Sequence, residues 1–211
     1  MLDQITKPPA EKAVAPPDEP MVPRMTQAEL ALFTATLANK QAYLEFGCGG
    51  STLVALNSGL KRIVSVESDP SWIRKLRGRQ DIHEAEASKR LAFCHADIGA
   101  VGDWGAPRED KSFREWPKYY TDVWLRHDSS YEAILIDGRF RVACALMSAI
   151  FAPEDCAVIV HDYNNRLNYS AIEKYFDVID TVDTMALLRK RRRINMRALV
   201  LELVFAALDA K

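Results

Sequence analysis

The chain has no excess of charge of either sign: its 211 residues carry 28 lysines and arginines against 29 aspartates and glutamates. That balance gives no global attraction to nucleic acid or to an anionic membrane surface. No stretch reaches the roughly 18 consecutive apolar residues of a membrane span. The N-terminus has no apolar signal core, so the expected location is the cytoplasm. The four cysteines, Cys48, Cys94, Cys144 and Cys156, form no Cys-x-x-Cys pair. Three of them sit in apolar, strand- or helix-like segments, which reads as small buried thiols in a reducing compartment. There is no internal repeat. Proline is scarce beyond the start, since six of the ten fall within residues 1–23. Proline at that density blocks helices and sheet ladders. Residues 1–24 are therefore expected to be a disordered leader, followed by one domain over residues 25–211.

Order is expected to begin at Thr26-Gln27-Ala28-Glu29, a capping box opening an amphipathic helix to about Asn39. Strand and helix patterns then alternate. Strands are expected near 42–46, 62–67, 91–95, 132–137 and 156–161, with helices near 51–58, 70–78, 140–151 and 168–176. The runs Ala133-Ile134-Leu135-Ile136 and Ala157-Val158-Ile159-Val160 are apolar on both faces, as central parallel strands covered on each side must be. The expected architecture is an α/β, Rossmann-like, doubly wound sheet of about seven strands, mostly parallel, with helices on both faces. Residues 177–191 read as two final strands. Residues 194–209 fit either an apolar helix or a further strand.

In such a sheet, ligands bind beyond the carboxyl ends of the strands. Every strand delivers polar groups to that edge. The first ends in Glu45-Phe46-Gly47-Cys48-Gly49-Gly50-Ser51, where glycines permit a tight turn and close approach of a ligand to the backbone. The second ends in Glu67, twenty-two residues after Glu45, and a carboxylate there can accept both hydroxyls of a ribose. The others end in His95-Ala96-Asp97, Asp137-Gly138-Arg139 and His161-Asp162-Tyr163. Unpaired buried carboxylates are costly, so this gathering reads as a nucleoside-cofactor site.

Over about residues 26–190 the chain resembles the class I S-adenosylmethionine-dependent methyltransferases. Glu45-Phe46-Gly47-Cys48-Gly49 matches that family's acidic-x-Gly-x-Gly motif, with Ser51 where a third glycine is common. The resemblance implies S-adenosylmethionine as cofactor. Glu45 and the turn Gly47, Cys48, Gly49, Gly50 and Ser51 would cradle its methionine end, Glu67 its ribose and Asp97 its adenine. His161-Asp162-Tyr163 with Asp137 further resembles O-methyltransferases that carry a divalent metal such as magnesium. That likeness implies Asp137 and Asp162 as metal ligands, with Asn164 as a third. His161 would be an alternative general base, its pKa lying near working pH. Asp137, His161 and Asp162 are thus the expected catalytic residues, and methyl transfer to an oxygen of a small molecule or sugar the expected reaction.

Two other readings compete. A nicotinamide-binding domain requires glycine at the sixth position of Gly-x-Gly-x-x-Gly, where this chain has Thr52. A carboxylate two residues before the first glycine would also repel a pyrophosphate. The other reading is a domain that keeps the fold and cofactor site without catalysis.

Residues 99–130 form a long insertion holding Trp104, Trp116 and Trp124 among basic residues. Its aromatics read either as a substrate surface or as a helix near 112–126 packed on the sheet. Arg139 and Arg141 read as facing an anionic substrate or as partners of nearby acids. The run Arg189–Arg193 reads as a solvated sheet end in preference to a phosphate contact, and nucleic acid is not expected as a partner. Cys48 reads as a small turn-filling residue. The apolar segment 194–209 packs on its own domain or forms a homodimer.

Overall fold

The computed structural model describes residues 21–164 and 167–210. Seven strands form one sheet: β1 (Ala42–Phe46), β2 (Arg62–Glu67), β3 (Leu91–His95), β4 (Ala133–Ile136), β5 (Ala157–Val160), β6 (Phe176–Val182) and β7 (Met185–Lys190). Their order is β3-β2-β1-β4-β5-β7-β6. The first five are parallel, and β7 runs antiparallel to both β5 and β6. Helices α1 (Gln27–Leu37), α2 (Gly50–Asn57), α3 (Pro70–Arg77), α4 (Gln80–Ala87), α5 (Lys118–Arg126), α6 (Arg141–Phe151) and α7 (Met196–Ala206) complete the fold. Leu167–Lys174, expected as a helix, is a 3-10 helix.

Side chains alternate across a strand, and here both sides are apolar. Leu44, Val64, Ile134 and Val158 face one core, shared with α5, α6 and α7. Tyr43, Ile63, Leu135 and Ile159 face the other, which contains Phe33, Leu37, Leu56 and Leu76. Each buried aliphatic side chain contributes about 1.5–3 kcal/mol, so the two-sided sheet is held by burial on both faces.

The chain winds outward from β1 through β2 to β3, then returns to place β4 on β1's other side. The crevice at that reversal lies beyond the ends of β1 and β4, where ligands bind in open α/β sheets. Gly47 and Gly138 make the close approach there possible. A Cβ on Gly47, whose φ is +97°, would lie 2.8 Å from Gly138 Cα. One on Gly138 would lie 1.9 Å from Tyr119 Oη.

Three expectations change or resolve. Helix α4 was not foreseen, because only Ile82 and Ala85 of its eight residues are buried and its apolar period is too sparse to read. The segment after Ile194 is helical, with the Asn195 side chain accepting from Ala198 N–H at 3.2 Å. In the long insertion, Trp116, Tyr119, Tyr120 and Trp124 are buried, so most of its aromatics serve packing, while Trp104 is exposed. Arg189, Arg192 and Arg193 are exposed beyond or at the end of β7, and Arg191 pairs with Asp177. Leu201, Val204 and Phe205 of α7 are exposed as well. Among the described residues no helix is long and apolar enough to cross a membrane. Residues 1–20 of the expected leader lie outside the described residues. Residues 21–24 are described, and they pack onto the crevice.

Candidate active site

A cavity of about 700 Å³ opens at the crevice, within the roughly 300–1,000 Å³ usual for small-molecule sites. Its lining joins the turn Gly47, Cys48, Gly49, Gly50 and Ser51 to Glu67, Asp137, His161 and Asp162. Six of the eight expected cofactor residues line it, and two of the expected set do not reach this cavity.

Glu45 is one of them. It is fully buried beneath the turn, with no exposed surface. Its carboxylate accepts hydrogen bonds from Thr52 Oγ1 at 2.5 Å, Ser65 Oγ at 2.7 Å, Ser51 Oγ at 2.8 Å and Tyr43 Oη at 3.2 Å. Thr52 Oγ1 in turn accepts from Gly49 N–H at 3.0 Å. Thr52 thus fixes the turn through Glu45 instead of offering the close glycine packing of a nicotinamide site. Burial pushes the Glu45 carboxyl up to about 7 against the pull of these four hydroxyls. Its place is under the cradle, bracing it. Asp97 also lies away from the cavity. It is exposed, and its Oδ1 accepts from Gly99 N–H at 3.1 Å.

Glu67 lines the cavity as expected. The backbone N–H groups of Ser68 and Asp69 donate to its Oε1, and that of Cys48 to its Oε2 at 3.1 Å. Burial raises its pKa, partly offset by these backbone donors. The carboxylate is thereby fixed in orientation between the first turn and the start of α3. Cys48 is pushed well up by burial and by the nearby Glu67 and Glu45 charges. A thiol so held is not a nucleophile.

At the other end of the cavity, His161 Nδ1 lies 2.9 Å from Asp137 Oδ1 and its Nε2 lies 3.4 Å from Glu29 Oε2. Both ring nitrogens face carboxylates. Desolvation lowers the His161 pKa, but the hydrogen bond to Asp137 and the charges of Asp137, Asp162 and Glu29 outweigh it, and the net shift is upward. With a carboxylate at each ring nitrogen, His161 is placed to orient Asp137. Asp162 adopts a left-handed backbone, φ +55°, a conformation that costs energy outside glycine and persists where its surroundings over-determine it.

Asp137, His161 and Asp162 bring donor atoms within 4.8 Å of one another, a spacing that suits a metal cage. The set as it stands does not fit the divalent ion that the resemblance implied. Arg141 Nη1 lies 3.0 Å from Asp162 Oδ2, and its Nη2 lies 3.4 Å from Asp137 Oδ1. Asn164, the expected third ligand, donates its side-chain amide to Asp183 O at 2.7 Å. Of the two readings of Arg141, pairing with nearby acids is the one observed.

Of the further lining residues, Trp104 was read in the sequence as part of a possible substrate surface, whereas Arg24, Trp72 and Lys75 were not singled out. Trp72 and Trp104 stack with ring centroids 5.9 Å apart, Arg24 lies 4.2 Å above Trp104, and Lys75 sits 5.8 Å from Trp72. The Arg24 end of this ladder belongs to the segment 21–24, which crosses Gly50: a Cβ there would fall 2.1 Å from Pro23 N. Only the position of Trp72, early in the helix that follows Glu67, hints at the same edge. Glu29 was visible only as a cap residue, and its second role needs the fold.

No family model and no curated protein matches the sequence. Solved structures do. A methyltransferase-like protein from Silicibacter pomeroyi is 27% identical with a TM-score of 0.78, the match covering 90% of this chain and 98% of that one. An SAH-bound methyltransferase from Podospora anserina is 15% identical with a TM-score of 0.53, over 79% and 80% of the two chains. An O-methyltransferase from Bacillus cereus in complex with SAH is 12% identical with a TM-score of 0.52, over 80% and 84%. At those two lower identities the likeness is one of fold. Sheet order and the likeness to these structures agree: the chain has the fold of the class I S-adenosylmethionine-dependent methyltransferases.

Proposed function

We propose that the protein moves the methyl group of S-adenosylmethionine to an oxygen of a small hydroxyl-bearing molecule, a sugar among the candidates. The observation that carries this reading is the continuity of one cavity from the glycine turn and Glu67 to the carboxylates of Asp137 and Asp162. The residues present suit the cofactor. Around Gly49 a Cβ would meet nothing within 4 Å, so the backbone is open to a ligand. The start of α2 offers N–H groups that lack intrahelical partners. Glu67 is a fixed acceptor for a ribose diol, and Trp72 and Trp104 supply aromatic surface beside it.

When bound, S-adenosylmethionine supplies a methyl group already activated on sulfur. The protein's work is to hold the acceptor oxygen in line and remove its proton. Positioning of this kind contributes about 7–11 kcal/mol. The proton goes to a carboxylate of the Asp137 and Asp162 pair. Their side chains keep 27% and 36% of their surface, whereas His161 is nearly covered and faces carboxylates on both sides. Arg141 and His161 hold the two acids in place.

Calorimetric titration with S-adenosylmethionine and with a nicotinamide dinucleotide tests the cofactor. Binding of the first alone supports the reading, and binding of the second alone overturns it. Methyl transfer to a panel of hydroxyl, amine and thiol acceptors tests the oxygen assignment. Asp162→Ala separates enzyme from binding domain, because it removes turnover and spares cofactor binding only if catalysis occurs here.

A further inference from the structure

We propose that the guanidinium of Arg141 is the resident cation of this site, holding Asp137 and Asp162 so that the protein takes no divalent metal there. Arg141 is the first residue of α6, and its side chain is only 7% exposed. Its Nε donates to Gly138 O at 3.0 Å and its Nη2 to Asp137 O at 3.1 Å. Its Nη1 donates to His161 O and to Asp162 Oδ2, the latter at 3.0 Å. The group therefore ties the loop after β4 to the loop after β5 through backbone and side-chain acceptors together. A planar, always-charged fork suits this bridging role, which a point charge could not fill.

The arrangement leaves a metal two obstacles. Asp137 Oδ1 already faces both His161 Nδ1 and Arg141 Nη2. A divalent ion between the carboxylates would also sit beside a buried positive group that has no other place to go. Acceptors on two strand ends and the covered stem fix the guanidinium. The fork is thus the chain's own counter-charge for a carboxylate pair that must stay ionised to take a proton. That last point rests on the methyl-transfer reading of the cavity, whereas the cation position itself rests on the geometry alone.

The test is titration of Mn²⁺ alone into the full chain, followed by electron paramagnetic resonance. S-adenosylhomocysteine binding and thermal melting are measured on the same samples. The wild type is expected to show no site tighter than millimolar, and any methyl transfer is expected to be indifferent to EDTA. Arg141→Ala is expected to gain at least tenfold in Mn²⁺ affinity, and the double variant with Asp162→Asn to lose that gain. Stoichiometric micromolar binding by the wild type, abolished by Asp162→Asn, overturns the proposal. So does an Arg141→Ala protein that melts cooperatively and gains no Mn²⁺ affinity. If Arg141→Ala does not fold, the wild-type and Asp162→Asn titrations still decide. Failure to bind S-adenosylhomocysteine would count against the cofactor reading and leave the cation assignment standing.

Discussion

Glu29 on α1 and His161 at the end of β5 are 132 residues apart in sequence, yet their side chains meet at 3.4 Å. Glu29 is also the acid of the α1 capping box, accepting from Thr26 N–H at 2.9 Å. Its other oxygen accepts from the backbone N–H of Thr184 at 2.9 Å and from the Thr184 hydroxyl at 2.7 Å. One carboxylate thus joins the start of α1, the β6–β7 turn and the site. Removing it by Glu29→Ala leaves those donors unpaired and takes from His161 Nε2 its carboxylate partner. The expected loss is about 3 kcal/mol, read from chemical denaturation, and a change below about 1 kcal/mol would mean that the contacts are not cooperative.

Glu29 and His161 set opposite pH limbs. Burial works against ionisation of Glu29, but the Thr184 hydroxyl, the Thr26 and Thr184 amides and the His161 charge hold it down at about 2. A lowered carboxyl gives stability that is present above its unfolded pKa of about 4.5 and is lost as pH falls toward 2. His161 is raised, so its contribution is full below about pH 6.5 and is lost as pH climbs through the folded value. Melting temperature against pH is expected to lose its alkaline limb in His161→Gln and part of its acid limb in Glu29→Gln. An unchanged alkaline limb in His161→Gln would show that the ring is neutral in the native state.

Glu45 behaves in the reverse sense to Glu29. Its folded pKa of about 7 means that the native state holds a proton more tightly than the unfolded chain between about pH 4.5 and 7. Its contribution to stability is therefore present below pH 4.5 and declines as pH rises to about 7. Glu45→Gln is expected to abolish that decline. An amide has one acceptor oxygen for four hydroxyl donors, so the same variant is expected to destabilise the fold by about 2 kcal/mol. It also loosens the turn and weakens S-adenosylhomocysteine binding, measured by calorimetry.

The approach of Gly47 to Gly138 is a steric prediction. Gly138→Ala would place a methyl group 1.9 Å from Tyr119 Oη and 2.9 Å from Gly47 N. The side chain of Tyr119 is buried, so the strand-end loops must part. A loss of about 1–3 kcal/mol is expected, with a fall in cofactor affinity that exceeds the fall in stability. Gly49→Ala, where space is open, is expected to leave stability within about 0.5 kcal/mol, and the contrast between the two variants is the check.

Asp162→Ala is expected to lower turnover by about 10²–10⁴-fold, the range for a lost acid–base group, with S-adenosylhomocysteine affinity within a few-fold. His161→Gln is expected to lose less, because a side chain that positions Asp137 can be replaced in part by an amide donor. Equal losses in both variants would return the base role to His161.

The sheet, its edge and the acids that crowd that edge were legible in the chain itself. Apolar runs such as Ala133–Ile136 allow only a strand covered on both sides, and the strand-end rule then places Gly47, Glu67, Asp137 and Asp162 together. What those residues do to one another was not legible. A strand buried on both faces carries no mark of which face meets a ligand, so nothing local distinguished Glu45, sealed beneath the turn, from Glu67, which lines the cavity. Arg141 could be read equally as facing a substrate or pairing with acids until β4 and β5 lay side by side. Arg24 and Trp72 reach the cavity, and Glu29 reaches His161 on its wall, only because distant segments fold together. Local periodicity and turn chemistry act over a few residues and determine the elements. The partner of a buried charge is chosen by whichever segments the packed core brings within hydrogen-bond range, and that is decided by tertiary structure.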